Sequence, residues 1–257
     1  MKITVLTLFP EMFTGVLENS IIKRAIAAGV VEIKLVNIRD YTTDKYGRVD
    51  SAPVGGGAGL IMKCQPIIDA IKDNTPPNSK VYMLSPKGET YNQKMAHELK
   101  DNVQNLVLLC GHYEGIDERV NEYIDGSISI GDYILTGGEI GAMTIVDSIV
   151  RLLDGAIANE STEEESFEDG CLEYPQYTEP YDYNGDKIPD ILYSGNHEAI
   201  KKWRRKESLR ITREKRPDLF DKLELSKQDK KLLKEIDENT IGDWETNAIE
   251  KGKKFIK

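Results

Sequence analysis

The segment Ser127-Ile-Ser-Ile-Gly-Asp-Tyr-Ile-Leu-Thr-Gly-Gly-Glu-Ile-Gly-Ala-Met143 reads as a strand, a loop and the start of a helix. Ser127–Ile130 alternates polar and apolar residues, which predicts a half-buried strand. Apolar residues at helical spacing predict a helix from Glu139 to Leu153. The loop between them is rich in glycine, which suits unusual backbone angles or close approach to a ligand. The same glycines also fit a tight loop that needs them for packing alone.

Strands and helices alternate on either side of this segment, which predicts an α/β domain with a largely parallel sheet. The carboxyl ends of parallel strands share one edge, so the loops 84–88, 111–115 and 131–138 should converge on a single crevice. The pattern predicts strands at Lys2–Phe9, Val30–Ile38, Lys80–Leu84 and Asn105–Cys110, and helices at Met12–Gly29, Gln65–Lys72 and Gln93–Leu99. A further helix is expected to follow the loop Gly111–Val120 and to run to about Ile124.

The composition describes a soluble globular chain of 257 residues, 39% hydrophobic and 30% charged. No apolar run approaches the roughly 20 residues that span a bilayer, so we expect no membrane association. The three cysteines are odd in number and far apart in the chain, which indicates a reducing cytoplasm and not a disulfide framework.

Charge is unevenly distributed along the chain. The net charge is −10, yet residues 160–190 alone hold eleven acidic residues and one lysine, while residues 201–216 hold nine basic and two acidic residues. A dense basic cluster is typical of phosphate binding, although a solvated helix face gives the same pattern. We therefore expect a domain over 1–157, a flexible acidic linker over 158–170 and a mainly helical domain over 171–257. Asn196 and Ser226 are expected helix caps, and Ser226 is expected to begin the last helix.

Taken together, these segments resemble the bacterial tRNA (guanine-N1)-methyltransferase family, the knotted SPOUT-type enzymes that methylate guanosine 37 beside the anticodon. The order and spacing of the motifs make the resemblance specific. The motifs are Leu6-Thr-Leu-Phe-Pro-Glu-Met-Phe13, Gly55-Gly-Gly-Ala-Gly59, Leu84-Ser-Pro86, Cys110-Gly-His-Tyr-Glu-Gly-Ile-Asp-Glu-Arg119, Ser129-Ile-Gly-Asp-Tyr-Ile-Leu-Thr-Gly-Gly-Glu139 and Ser194-Gly-Asn-His197.

The resemblance implies a deep trefoil knot in the first domain, an S-adenosylmethionine cofactor, a homodimer, and a tRNA substrate with guanosines at 36 and 37. It also implies residues that hold the cofactor and residues that contact tRNA. The cofactor residues would be Leu84, Ser85, Pro86, Gly111, Tyr113, Glu114, Gly115, Ile130, Gly131, Asp132, Tyr133, Ile134, Leu135, Gly137 and Gly138, and the tRNA contacts would be His197, Arg204, Arg205, Arg210 and Arg213.

Methylation of guanine N1 requires a base that removes its proton and a cation near O6, where negative charge develops. By resemblance, Arg151 is the cation. The base position directly before Ser-Phe is Glu165 here, where the family has aspartate, and Asp169 is a fallback base. Crowded carboxylates in this segment could also bind Mg²⁺.

Two other functions fit part of the sequence. A knotted methyltransferase acting on a ribose hydroxyl or on rRNA would share the cofactor loops without needing the carboxylate. A non-catalytic RNA-binding protein would share only the basic cluster. A dinucleotide oxidoreductase is disfavoured, because no phosphate-binding fingerprint follows a strand.

Overall fold

The computed structural model describes residues 1–157 and 165–252 of the chain. It divides into two compact units, Met1–Asn159 and Glu160–Lys257. The linker predicted over 158–170 stays a prediction, because its residues 158–164 lie outside the described part.

The first unit is built on a five-stranded sheet with every neighbouring pair parallel, which confirms the α/β class with a mostly parallel sheet. A separate antiparallel pair of short strands precedes its third helix. The strands are β1 (Lys2–Thr7), β2 (Glu32–Asn37), β3 (Asp50–Ser51), β4 (Ile61–Met62), β5 (Ser79–Thr90), β6 (Asn105–Cys110) and β7 (Gly126–Ser129). The sheet order is β2-β1-β6-β5-β7.

Apolar clusters cover both faces of this sheet, as the continuous apolar sequence of β6 requires. Leu106 and Leu108 of β6 belong to one cluster, and Val107 and Leu109 belong to the other. Alternation along a strand sends successive side chains to opposite faces, so β6 is buried on both sides. The helices of this unit are α1 (Thr14–Leu17), α2 (Ser20–Ala27), α3 (Cys64–Asn74), α4 (Gln93–Asn102) and α5 (Glu139–Val150).

Three predicted elements of this unit differ in the structure. The helix predicted over Met12–Gly29 is broken into α1 and α2, and Ser20 starts the second piece with a positive φ of 51°. The strand predicted to end at Leu84 continues to Thr90, because β7 pairs with β5 on both sides of a register shift between Leu84 and Glu89. The helix predicted after Val120 is a 3₁₀ helix over Glu118–Tyr123.

The second unit is mainly helical. Asn196 accepts a hydrogen bond from Ala199 N at 3.2 Å, and Ser226 caps the eighth helix through a capping box with Asp229, so both predicted caps are confirmed. The prediction that this helix is the last one is wrong, since another follows it. The elements are β8 (Asp182–Tyr183), β9 (Asp186–Lys187), α6 (His197–Lys215), α7 (Pro217–Phe220), α8 (Lys227–Asp237) and α9 (Asp243–Gly252). Among the described helices, none has both the length and the apolar character needed to cross a bilayer.

Candidate active site

A cleft of about 830 Å³ opens at the carboxyl ends of β5 and β6 in the first unit. Three loops surround it: the irregular middle of β5, the segment after β6, and the segment between β7 and α5. The three predicted loops therefore converge on one crevice. Fourteen of the fifteen residues predicted from the resemblance to hold the cofactor line this cleft, and Asp132 does not. The prediction missed His112, Thr136 and Gly141, which line it as well.

Glycines allow the chain between β7 and α5 to pass very close to the ends of β5 and β6. A Cβ atom on Gly138 would lie 2.8 Å from Cys110 Cα, and one on Gly141 would lie 3.1 Å from Leu84 Cδ1. A Cβ atom on Gly88 would lie 2.4 Å from the backbone carbonyl carbon of Ser127. At Gly138 and Gly88 a side chain would collide with backbone, so glycine is required there by lack of space. At Gly141 the Leu84 side chain would have to move by only a few tenths of an ångström.

A buried polar network lies beneath these loops. Glu139, the first residue of α5, is only 1% exposed, and its Oε1 accepts a hydrogen bond of 2.8 Å from Thr7 Oγ1. Thr7 Oγ1 in turn accepts a hydrogen bond from Phe9 N. His112 Nδ1 lies 3.7 Å from Glu139 Oε2, and an isolated antiparallel β-bridge pairs the backbone of His112 with that of Gly137. The network ties β1, the loop after β6 and the start of α5 together.

The loop Gly55–Gly59 is coupled to the cleft through Glu114. Four of its glycines have positive φ, and a Cβ on Gly59 would lie 2.3 Å from Glu114 Cγ. Backbone hydrogen bonds from Glu114 N to Leu60 O and from Met62 N to Gly115 O hold the two segments side by side. The loop and the residues that follow it therefore hold Glu114 and Gly115 in place at the rim of the cleft.

Two titratable side chains near the cleft have raised pKa values. Burial, and then the charge of Glu139, raise the pKa of the Cys110 thiol well above its usual value. Burial, followed by a hydrogen bond with Asp50, raises the pKa of Tyr113. Both side chains are therefore neutral at pH 7, and neither is suited to act as a general base.

Arg151 lies at the opposite end of α5 from the cleft. Glu139 starts the helix beside the cleft-lining Gly138, and Arg151 is its C-cap after twelve helical residues. At a rise of about 1.5 Å per residue, the two ends are about 18 Å apart. Arg151 is not among the residues that line the cleft of its own chain.

The predicted base candidates occupy a turn in the second unit. Phe167 has a positive φ of 78°, and its N–H donates to Cys171 O at 2.7 Å. Asp169 Oδ1 accepts a hydrogen bond from Cys171 N, and its other oxygen is ion-paired with Arg205. The turn begins at Glu165, which is half-buried. Both carboxylate oxygens of Asp169 therefore have partners that stabilise the turn.

Some basic side chains of α6 form ion pairs within the second unit. Arg205 pairs with both Asp169 and Asp229, which gives it a structural role. Arg210 pairs with Glu207 and Glu214 on its own helix.

The remaining predicted tRNA contacts lie along the same helix. Arg213 pairs with Asp237, Arg204 stacks over the ring of Tyr174, and His197 starts the helix. Two neighbouring aromatic residues of this unit, Trp203 and Tyr177, differ in exposure. Trp203 is 6% exposed and belongs to the core, and Tyr177 is 46% exposed.

No group of three or more His, Cys, Asp or Glu side chains in residues 1–157 and 165–252 is arranged to hold a metal ion. The predicted Mg²⁺ site fell partly on residues 158–164, which lie outside the described residues.

The fold and the cleft define an α/β domain whose loops, at the carboxyl edge of a parallel sheet, surround a cleft, followed in sequence by a helical unit with a basic helix. Comparison with known proteins gives the family. The model of the family tRNA (Guanine-1)-methyltransferase TrmD matches residues 1–222, and the chain belongs to that family.

Relatives in two clostridial species support the assignment. The chain is 55% identical over 236 residues to a protein named tRNA (guanine-N(1)-)-methyltransferase from Clostridium perfringens (strain SM101 / Type A), covering 91% of this chain and 99% of that protein. It is 56% identical over 238 residues to a protein of the same name from Clostridium botulinum (strain Langeland / NCTC 10281 / Type F), covering 92% and 98%.

Proposed function

We propose that this protein transfers a methyl group from S-adenosylmethionine to N1 of guanosine 37 in tRNA. The observation that carries the proposal is the cleft, in which three loops characteristic of the family come together around one space. We place the reaction in the cytoplasm, where tRNA matures.

The cleft suits the cofactor by its chemistry. Apolar side chains such as Leu84 and Leu135 offer surface to an adenine ring, and backbone N–H and C=O groups of the glycine-bearing loops can pair with its edge. The carboxylate of Glu114 on the rim can balance positive charge on the ligand. When bound, S-adenosylmethionine supplies a methyl group activated by a sulfonium.

The protein's own residues would prepare the nucleobase. Glu165 is the proposed general base that takes the proton from guanine N1, and Arg151 is the proposed cation that stabilises the charge developing on O6. Glu165 is preferred to Asp169 because it stands directly before Ser166 and Phe167, the position that the resemblance assigns to the base. The Asp169 carboxylate is bound by Arg205 and by Cys171 N.

A homodimer would explain the position of Arg151. Because Arg151 lies a helix length from its own cleft, we propose that it serves the cleft of a partner chain. Most oligomers of this kind are symmetric, so each chain would supply the other.

A knot would explain the crowding behind the cleft. The chain at Gly138 and Gly141 lies so close to Cys110 and Leu84 that little room is left for side chains there. We propose that this close approach marks the threading point of a trefoil knot, an exception to the rule that chains are unknotted.

For tRNA, we propose phosphate contacts from α6 through Arg204, Arg210 and Arg213, with His197 at its start. Surface ion pairs such as those of Arg210 and Arg213 are weak, so phosphates can replace the carboxylates at little cost.

The test is transfer of labelled methyl from S-adenosylmethionine to an unmodified tRNA transcript with guanosines at 36 and 37, beside a transcript in which 37 is replaced. Label on the first transcript only, recovered as 1-methylguanosine, is the expected result. Label on both would retain the methyltransferase and reject the target. Label on neither, with tRNA binding intact, would favour a non-catalytic RNA-binding protein.

A further inference from the structure

The helix α9 lies beyond residue 222, where the match to the family model ends. The alignments with the two clostridial relatives cover 236 and 238 of the 257 residues. Helix α9 is nevertheless well packed within the second unit. Its buried Ala248 joins Ile191, Ala199 and Trp203 in one apolar cluster, with Trp244 and Ile249 packed against it.

Charged contacts join α9 to the middle of α6. The Lys206 ammonium, on a largely buried side chain, lies 3.3 Å from Glu245 of α9 and 3.1 Å from Glu235 of α8. Trp244 Nε1 donates a hydrogen bond of 3.1 Å to Glu235. A buried lysine needs such partners, and removing one of them leaves charge uncompensated, so α9 is held in one position against α6.

The end of α9 contacts the turn from which α6 starts. Gly252 is buried, and a Cβ atom there would lie 2.4 Å from Ser194 Cα and 3.1 Å from Ser194 N. Ser194 Oγ accepts a hydrogen bond from Asn196 N, and Asn196 caps α6. Gly195 between them has a positive φ of 66°. Through Ser194, the last turn of α9 therefore sets the position of the first turn of α6.

We propose that α9 is a positioning element for tRNA binding: by seating Gly252 on Ser194, it fixes the Ser194–His197 turn and the basic helix that follows it. This inference rests on the proposed function, because α6 is the proposed tRNA contact. Helix α9 contacts both the start and the middle of α6. A small shift of α9 therefore moves the arginines of α6 relative to tRNA phosphates.

The test is Gly252→Ala in the full chain, with Asn247→Ala on the exposed face of α9 as the matched control. Both substitutions raise intrinsic helix propensity, so a difference between them reports the contact with Ser194. We expect Gly252→Ala to raise KM for tRNA and the Kd for tRNA by on the order of threefold to tenfold, because one or two arginines would no longer reach their phosphates. The kcat and the Kd for S-adenosylmethionine should stay within about twofold of wild type, as expected when only uniform binding is weakened.

A purely structural role for α9 would instead lower the melting temperature and leave KM for tRNA unchanged, which would overturn the proposal. If Gly252→Ala does not fold, Ala248→Ser, a smaller change at the same packed face, takes its place. The expected result is the same: a higher KM and Kd for tRNA, with kcat and the Kd for S-adenosylmethionine nearly unchanged. The Kd for tRNA is measured without turnover. A failure of the proposed function would appear as a wild-type protein without methyl transfer, whereas a failure of the positioning role would appear as equal tRNA affinity in variant and control.

Discussion

Thr7 and Glu139, 132 residues apart in sequence, are joined by a buried hydrogen bond of 2.8 Å between the end of β1 and the first residue of α5. The bond gives Glu139 Oε1 a partner on a side chain that is only 1% exposed. It also links β1, an inner strand of the sheet, to the helix that begins at the cleft.

Replacing Thr7 with valine keeps the shape and removes the donor. We expect the free energy of unfolding to fall by about 1–3 kcal/mol, the usual cost of leaving a buried polar group without its partner. Affinity for S-adenosylmethionine should fall too, since the cleft loops lose an anchor. Urea unfolding and cofactor titration measure the two effects, and Thr4→Val on the same strand is the control. Equal effects from both variants would show that Glu139 does not depend on this bond.

Gly59 limits where the Glu114 side chain can lie. In Gly59→Ala the new Cβ would push on Glu114, in addition to the strain of a positive φ. Gly56→Ala carries similar strain with nothing within 4 Å of the Cβ, so it is the matched control. We expect Gly59→Ala to weaken cofactor binding several-fold more than Gly56→Ala, by on the order of threefold to tenfold, as for a disturbed contact in a binding site.

The coupling has a further test in the double variant Gly59→Ala with Glu114→Ala. If displacement of Glu114 is the cause, the two losses in cofactor affinity are not additive, and the second substitution costs less in the presence of the first. Strict additivity would mean that Gly59 acts through the backbone alone.

The sequence identified those parts of the fold that depend on local pattern. Asn105–Cys110 was predicted with the bounds that the structure has, because a continuous apolar run between turn signals has few other interpretations. The extension of β5 past Pro86 depends on β7, about forty residues further along, and no local pattern contains it. Helix α9 was missed because its apolar positions, Trp244, Ala248 and Ile249, are few.

The candidate site divides in the same way. Glycine-rich loops after strands are visible in sequence, and they do line the cleft. The bond between Thr7 and Glu139 depends on which strands are neighbours, which the sequence alone did not establish. The internal pairing of Arg205 could not be predicted from a basic run either, since its partners Asp169 and Asp229 come from other segments.

Asp229 gives the second unit an acid-sensitive contact. Burial alone would raise the pKa of Asp229, but hydrogen bonds from Arg205 and Ser226 outweigh it and lower the pKa below its usual value. The unfolded chain then takes up the proton first as pH falls, so stability from this group is present above about pH 4 and disappears below it.

Asp229→Asn should therefore reduce the free energy of unfolding by about 1.5–3 kcal/mol at pH 7, the range for a charged hydrogen bond. As the pH falls below about 4 and through the lowered pKa of Asp229, the difference in stability between the two proteins should shrink. Both tryptophans of the chain, Trp203 and Trp244, lie in the second unit, so their fluorescence follows its unfolding. Asp218→Asn, which breaks an exposed pair with Arg216, is the control and should have a small effect. If the difference in unfolding free energy between wild type and Asp229→Asn does not change with pH, the ionised carboxylate of Asp229 is ruled out as its cause.

The salt dependence of tRNA binding tests which arginines touch phosphates. Replacing Arg204, Arg210 and Arg213 together with glutamine should weaken binding and reduce the slope of log K against log salt by about 0.7–0.9 for each phosphate that is no longer neutralised. Arg205→Gln is the comparison: its ion pairs lie within the unit, so it should lower stability and leave the slope unchanged. The reverse result would assign phosphate binding to Arg205.

The position of Arg151 predicts that co-expression of two inactive variants restores methyl transfer. Arg151→Ala keeps its cleft intact, and Ser85→Trp, chosen to fill the cleft, keeps its arginine. In a mixed dimer, the intact cleft of the first chain receives Arg151 from the second. Equal co-expression should therefore restore about a quarter of wild-type sites, since half of randomly paired dimers are mixed and each has one complete site. The activity is measured as methyl transfer to tRNA, after Ser85→Trp alone has been shown not to bind S-adenosylmethionine. If Arg151 serves the cleft of its own chain, neither chain has a complete site and the mixture stays inactive.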